Sequence, residues 1–555
     1  MERVTHLRAF RCGVGAFGRF KRDQAGSLTI FALMFMALMI MMGGIAVDVM
    51  RYEARRTALQ NTLDRSTLAA ASLTQDREPA AVVNDYFRKA GMLSYLRSVT
   101  VTQGLNFRNV MADANVETDP IFLHLTGITS MDAYGLSDAE QRINNVEIML
   151  VLDVSGSMGS NSKLTNLKNA ANAFVQTVLT NDVEHKISIG IVPFNGQVNL
   201  GPTLKTYFNI IDANNTAGVD CVDLPAAAYA QFAIPTTLAL SMTANADTYS
   251  SSGGSTPSEG NKWCPAQPNS PASGNTVRMP QQDAATLQGY INGLSAVGAT
   301  SINAGMKWGM ALLDPSMQPM YQSYIMAGAI PATMTQRPLS YDQEDAMKVI
   351  ILMTDGEHFA EERMVAAYKT GPSPIWLAND GRYSIFHSGV VNNTSATTIC
   401  NSRPFYVPHL VAWHSRPWNG TTPAVGDCYQ PIPSPAYTLT TSLTWQQVWA
   451  GLRVSYVARY LYANAVGGSE SSWTNTFRTQ TATTTMDTQL QNECTMAKDQ
   501  KVIIYGIAFE APANGQTQIR NCATSAAHYF DANGIQITTA FAAIANNISQ
   551  LRLTQ

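Results

Sequence analysis

Five side chains along this sequence could act together on a divalent cation: Asp153, Ser155, Ser157, Thr300 and Asp355. Three of them stand in Val146–Gly159, VEIMLVLDVSGSMG, where an apolar run enters Asp-x-Ser-x-Ser. Such a run reads as a strand buried on both faces of a parallel sheet. Leu164, Leu167, Ala171, Phe174, Val175 and Val178 then repeat at helical spacing, so an amphipathic helix follows at once. Thr300 lies in the helix-opening loop GATSINAG, residues 298–305, and Asp355 ends a second buried strand, KVIILMTDG, residues 348–356. Carboxylates and hydroxyls at the carboxyl ends of parallel strands occupy the place where open α/β sheets bind ligands. They are hard oxygen donors, suited to Mg²⁺ and also to Mn²⁺ or Ca²⁺, and poorly suited to zinc.

Each fragment alone has an ordinary alternative, since Asp-Gly and Ser-Gly turns are common caps. Three fragments on matching strand ends argue for a common site. Their order, Asp-x-Ser-x-Ser, then Thr, then Asp, resembles the metal-ion-dependent adhesion site of von Willebrand factor type A domains. The resemblance implies that Ser155, Ser157 and Thr300 touch the metal while Asp153 and Asp355 hold its waters. Hydroxyls need lose no proton and ordinary carboxylates are ionised, so metal binding is expected to be flat from about pH 6 to 8.

The elements that must position these residues follow in order. Ile187–Phe194 reads as a second strand, Val502–Ala508 as a late one, and Phe541, Ile544, Ile548 and Leu551 as a C-terminal helix packed on the sheet. The fold class expected is α/β: a doubly wound, Rossmann-like von Willebrand A-type domain over residues 146–555. It is roughly twice as long as the resemblance implies. The excess falls in two insertions, about 199–280, rich in Ser, Gly and Pro, and about 359–485, which holds six of the eight tryptophans. Loops of that length are uncommon without a purpose of their own. The aromatics of the second, Trp376, Trp413, Trp418, Trp445, Trp449 and Trp473, can build either a small core or a binding surface.

Ahead of this region, Leu28–Val47 is an uncharged run of 20 residues, the length that crosses a bilayer core. Arg3, Arg8, Arg11, Arg19, Lys21 and Arg22 precede it against Glu2 and Asp23, which places the tail 1–27 in the cytoplasm and the bulk outside. The run is too long for a signal peptide and lacks a small-x-small cleavage site. Helical character continues to about Leu73, so span and extension (28–75) form one rod of roughly 45 residues, about 65 Å. That is a pilin-like construction. Gly26-Ser27, Gly43-Gly44-Ile45-Ala46-Val47-Asp48, Arg51, Leu59-Gln60, Asp64-Arg65 and Leu68-Ala69-Ala70-Ala71 resemble the N-terminal segment of the TadE/TadG-like proteins of tight-adherence (Flp) pilus assembly. Joined to a von Willebrand A domain, the segment has the TadG-like arrangement. The resemblance implies a single-pass protein of the bacterial inner membrane with its bulk in the periplasm or outside.

Residues 76–145 are read as a small α+β module like a pilin head, with strands at Ser98–Thr102 and Ile121–Leu125. His124 alternates with apolar neighbours there and reads as a structural histidine. Six cysteines lie beyond the span, Cys221, Cys264, Cys400, Cys428, Cys494 and Cys522, and an even number in an oxidising compartment suggests disulfides. The simplest pairing joins neighbours: Cys221–Cys264, Cys400–Cys428 and Cys494–Cys522. A net charge of −3 argues against a nucleic-acid partner.

The leading function is binding and assembly. A cation held by neutral hydroxyls keeps much of its charge and can take a carboxylate from a pilus or envelope protein, while the rod anchors the domain in the cytoplasmic membrane. A surface or pilus-tip adhesin is the alternative. A metal-dependent hydrolase would need a base beside the metal. His358, Glu357, Glu361 and Glu362 are near enough in sequence, but no partner motif accompanies them and acidic residues opening a helix are ordinary. No enzymatic activity is expected.

Overall fold

The computed structural model describes residues 25–549, apart from 74, 104–106, 143–144, 181, 183, 213–215, 269–273, 344, 389–403, 415 and 421–439. The basic tail, Cys400, Cys428 and Leu551 lie outside the described residues. The chain forms two compact units that part after Arg142.

The first unit is organised on helix α1, Ala25–Ala71, 47 residues without a break. Among the described residues it is the one helix long and apolar enough to cross a membrane. Its first half is exposed on nearly all sides, whereas Leu59, Leu63, Ser66, Thr67 and Ala70 in the second half are buried. That face packs on α2, Pro79–Lys89, and on an antiparallel meander of β1 (Leu96–Gln103), β2 (Phe107–Thr118) and β3 (Met131–Arg142). In β2 the period is two: Val110, Ala112, Ala114 and Val116 turn inward to the helix. The strand expected at Ile121–Leu125 is instead a 3₁₀ turn, Leu123–Thr126, and His124 is exposed on it. The reason is local. The Asp48 carboxylate accepts the N–H groups of Ile121, Phe122 and Leu123 at 2.9, 2.6 and 2.9 Å, the donors a strand would have given to a neighbour.

The second unit holds the α/β, doubly wound sheet expected from the sequence. Its strands are β4 (Asn145–Asp153), β5 (Ile187–Phe194), β6 (Arg278–Gln281), β7 (Ala346–Thr354), β8 (Ile503–Phe509) and β9 (Tyr529–Ala532). They lie in the order β9-β8-β7-β4-β5-β6, all parallel except the edge strand β6. Helices α3 (Lys163–Thr180), α4 (Ala284–Asn292), α5 (Ile302–Leu313), α6 (Thr483–Asp499), α7 (Ala513–Cys522) and α8 (Gln536–Ser549) complete it. On one face α3 packs against α8, with Phe174 edge-on to Phe541 at 5.8 Å. On the other, α5 lies across the central strands and against α6. Burial on both faces explains why β4 and β7 read as unbroken apolar runs.

Both insertions carry more structure than their composition suggests. The first is stapled by the Cys221–Cys264 disulfide, Cα–Cα 6.1 Å, and its Val222, Leu224, Tyr229, Ile234 and Leu240 join the core of the main sheet. The second enters and leaves through a two-stranded antiparallel ribbon, Glu361–Met364 against Arg478–Thr481. Beyond the ribbon stands a five-stranded antiparallel sheet with short helices. Trp445 and Trp449 are buried in one core with half-buried Trp413 and Trp473 packed against it, Trp418 is buried in a second small cluster, and Trp376 is half-buried, so most of these aromatics build core. Cys494 and Cys522 are bonded, Cα–Cα 5.1 Å, and tie α6 to α7.

Candidate metal centre

The chain leaves β4 for β5 on one side of the sheet and returns to β7 on the other, so the winding reverses between β4 and β7. Loops leaving strands at such a reversal diverge and open a crevice. Asp153 is the last residue of β4, and Asp355 follows the last residue of β7. Topology alone therefore brings two carboxylates from distant parts of the chain to one crevice.

The side chains converge there. Asp153 is fully buried; its Oδ1 accepts the Ser155 N–H at 2.8 Å and its Oδ2 the Thr354 hydroxyl at 2.5 Å. Ser157 Oγ donates to Asp355 Oδ1 at 2.8 Å, and Ser155 Oγ lies 3.4 Å from the same oxygen and 3.0 Å from Ser157 Oγ. The Thr300 loop is clamped alongside. Gly156 N–H donates to Gly298 O and Val297 N–H to Val154 O, both at 2.9 Å. Gly298 has φ +88°, which favours glycine, and a Cβ there would meet Pro265 and Asn195 at 3.2–3.3 Å. The Thr300 hydroxyl lies beside Gly356, 3.4 Å from where a Cβ on that glycine would stand. The structure thus joins Asp153, Ser155, Ser157 and Asp355 by hydrogen bonds and sets Thr300 against the next residue.

Two further charges belong to the cluster. Lys163 Nζ lies 3.0 Å from Asp355 Oδ2 and 3.7 Å from Glu510 Oε2. Asn161 and Ser162, at φ 52° and 57°, turn the chain so that Lys163 opens α3 pointing back into the crevice. Glu510 also has positive φ, 52°, at the end of β8. Asp153 and Asp355 are therefore not alone in bringing formal charge to the crevice. A signal existed for Glu510, since it ends a strand as the two aspartates do. Lys163 had none, because helical periodicity favoured Leu164 as the inward residue.

Burial first, and then the neighbouring Asp355 charge, push the Asp153 carboxyl up from 3.8 to about 7. Two carboxylates in so dry a place make a poor pair without a cation, and the surrounding donors are the hard oxygens a divalent ion takes. Among the described residues no group of three or more His, Cys, Asp or Glu could hold a metal, so a cation here would depend on hydroxyls as well. The residues fit Mg²⁺ or a similar ion. A carboxyl raised to about 7 argues for metal binding that strengthens between pH 6 and 8, against the flat profile expected from ordinary carboxylates.

Three of the four candidate catalytic residues are engaged with other partners, and Glu357 is exposed. His358 is buried: its Nε2 accepts the Asn303 N–H at 3.1 Å and its Nδ1 pairs with Asp487 Oδ1 at 2.7 Å. Both ring nitrogens are used to fix the start of α5 against α6. Glu361 and Glu362 do not open a helix but form a strand, where Glu361 binds Gln197 and Arg363 and Glu362 meets Arg478.

Lys163→Met should strengthen Mg²⁺ binding several-fold, because the ammonium paired with Asp355 would oppose a dication held by that carboxylate. Calorimetric titration beside the parent measures it. Weaker binding would show that Lys163 positions Asp355 and does not merely offset its charge.

Fold and site together define a doubly wound α/β domain with an oxygen-rich, acidic crevice at its switch point, preceded in sequence by an apolar helical rod. Residues 26–73, which include nearly all of that rod, match the family described as putative Flp pilus-assembly TadE/G-like. No curated protein matches the chain. Among solved structures it is similar to the von Willebrand factor domain of the type V pili tip protein Mfa5 from Porphyromonas gingivalis, at 12% identity and a TM-score of 0.29, covering 74% of this chain and 98% of that one. It is similar also to the adhesive tip pilin GBS104 from Group B Streptococcus agalactiae, at 10% identity and a TM-score of 0.26, covering 73% and 100%. A third similarity is to the pilus adhesin RrgA from Streptococcus pneumoniae, at 11% and 0.27, covering 81% of this chain and half of that one (50%).

Proposed function

We propose that the chain is a membrane-anchored, metal-dependent binding and assembly protein of a tight-adherence (Flp) pilus system. The observation that carries this is the convergence of Asp153, Ser155, Ser157 and Asp355 on one crevice at the sheet's switch point. The TadE/G-like match of residues 26–73 supplies the setting. The metal site is of the metal-ion-dependent adhesion type, and α1 holds the protein in the cytoplasmic membrane with the basic tail inside.

Each residue has a task. Ser155, Ser157 and Thr300 offer neutral oxygens to the cation; Asp153 and Asp355 orient them and supply the charge. Asp153 holds the loop open by accepting the Ser155 N–H, and Thr354 fixes its other oxygen. A bound divalent cation supplies unquenched positive charge to which a partner's Asp, Glu or terminal carboxylate can bind. Glu510 and Lys163 at the rim set the local charge that an incoming acidic group meets. Both ring nitrogens of His358 are engaged, so that imidazole is not free to act as a hydrolytic base.

Purification of the full chain from membranes, with Mg²⁺ and with chelator, tests the reading. A pilus or envelope protein should co-purify in Mg²⁺ and be lost on chelation. A partner retained equally in both would remove the metal from the mechanism.

A further inference from the structure

The turn between β2 and β3 sits in an unusual place on α1. A Cβ on Gly44 would fall 2.2 Å from the Phe122 ring, so the ring rests directly on the helix backbone at that glycine. Gly44 belongs to the uncharged run Leu28–Val47, about 5 Å below its end at 1.5 Å per residue. Along the run, Met41, Gly44, Ile45 and then Asp48 are the positions withdrawn from solvent, one face at helical spacing. The turn therefore overlaps the apolar segment and does not merely follow it.

Its surface matches that position. Ile121 is 59% exposed, Leu125 78% and Ile128 44%, three large apolar side chains within eight residues. Its backbone is also prepared for a dry setting, where unpaired donors are costly. Asp48 takes the N–H groups of Ile121, Phe122 and Leu123. Leu125 N–H goes to Phe122 O, Gly127 N–H to His124 O and Ile128 N–H to Leu123 O. The Thr126 hydroxyl donates to Leu123 O at 2.7 Å. Asp119 and His124 are exposed on the same turn, which suits the headgroup boundary better than the hydrocarbon centre.

We infer that residues 121–128 form a second membrane contact, an interfacial wedge strapped to α1 by Asp48, whose Ile121, Leu125 and Ile128 enter the outer edge of the acyl region. The wedge rests on the reading of α1 as a membrane span. The occupant is lipid because the exposed apolar surface of the turn continues that of the span. Two-point attachment would fix the tilt and rotation of the rod, which a lone helix leaves free.

Spin labels on full-length protein in phosphatidylcholine–phosphatidylglycerol nanodiscs test this. Labels are placed singly at Leu125→Cys, Phe35→Cys and Tyr134→Cys in a Cys12→Ser background, with the unsubstituted background as blank. Collision with oxygen reports lipid and collision with a water-soluble nickel chelate reports water. The label at 125 should show oxygen access like that at 35, and nickel access several-fold below that at 134. Asp48→Asn should restore nickel access at 125 while leaving 35 shielded. If 35 is shielded but 125 is as wet as 134, the span stands and the wedge falls. Wet labels at both 35 and 125 remove the span and the wedge with it. A label at 125 shielded from both reagents means protein covers the turn, which overturns the lipid assignment.

Discussion

Asp153→Asn should weaken Mg²⁺ binding by at least about 10–100-fold, the range seen when groups that support a metal's ligands are removed. Asparagine can still accept the Ser155 N–H through its Oδ1, and its Nδ2 can donate to the Thr354 hydroxyl oxygen in place of the bond it loses, so the loop keeps its shape. The parent's affinity should rise about tenfold from pH 6 to pH 8, because a carboxyl of pKa about 7 must lose its proton before a cation can use it. In the variant that rise should vanish. Stability carries the opposite sign. A carboxyl lifted from 3.8 to about 7 on folding binds its proton more tightly in the folded state, so metal-free stability falls as pH climbs between those values and stays low above them. Asp153→Asn should therefore melt higher than the parent at pH 8 without metal, and near it at pH 4. Calorimetric titration and melting curves over that range measure both effects. Unchanged affinity in the variant would mean the site is misassigned. Outright unfolding would make Asp153 a structural carboxyl.

The second large effect concerns the tryptophan-rich insertion. Trp449 is 1% exposed, stacks on Trp445 with centroids 5.2 Å apart, and donates its indole N–H to Tyr368 O at 2.6 Å. Trp449→Ala should cost about 3–5 kcal/mol, the range for emptying a buried aromatic site. Trp449→Phe should cost less. Limited proteolysis under rising urea should show residues 365–477 opening early in the alanine variant, while Mg²⁺ titration of the folded protein is unchanged. An alanine variant as resistant as the parent would return these aromatics to the role of a partner surface.

What could be read in advance divides along physical lines. VEIMLVLD and KVIILMTD announce their structure because a strand buried on both faces has no polar side to hide, and their terminal aspartates fall at the sheet's mouth automatically. Lys163 was invisible because its position depends on two residues of positive φ, Asn161 and Ser162, neither a glycine. The stretch Ile121–Leu125, four apolar residues and His124, looks like a strand because nothing local shows that Asp48, over seventy residues earlier, holds its N–H groups. The insertion strands escaped for a related reason. Pieces such as Phe405–Val407 and Ala412–His414 are too short to show a period and exist through their neighbours. The Asp153 ionisation is likewise tertiary, since one of its causes sits two hundred residues away.

The ribbon of Glu361–Met364 and Arg478–Thr481 makes the second insertion a cassette. Its two ends stand one strand spacing apart, about 5 Å, however much chain lies between them. A tight hairpin turn could close the same gap, so everything from 365 to 477 could be lost, gained or exchanged without moving β7 or α6. The cost would fall on one seam, where Ala244 and Ala246 of the first insertion share its core and Arg453 and Ser455 donate to the carbonyls of Thr256 and Ser250. A lineage could thus replace the outer face this domain shows to its surroundings, epitope by epitope, while the crevice beneath kept its residues and its chemistry.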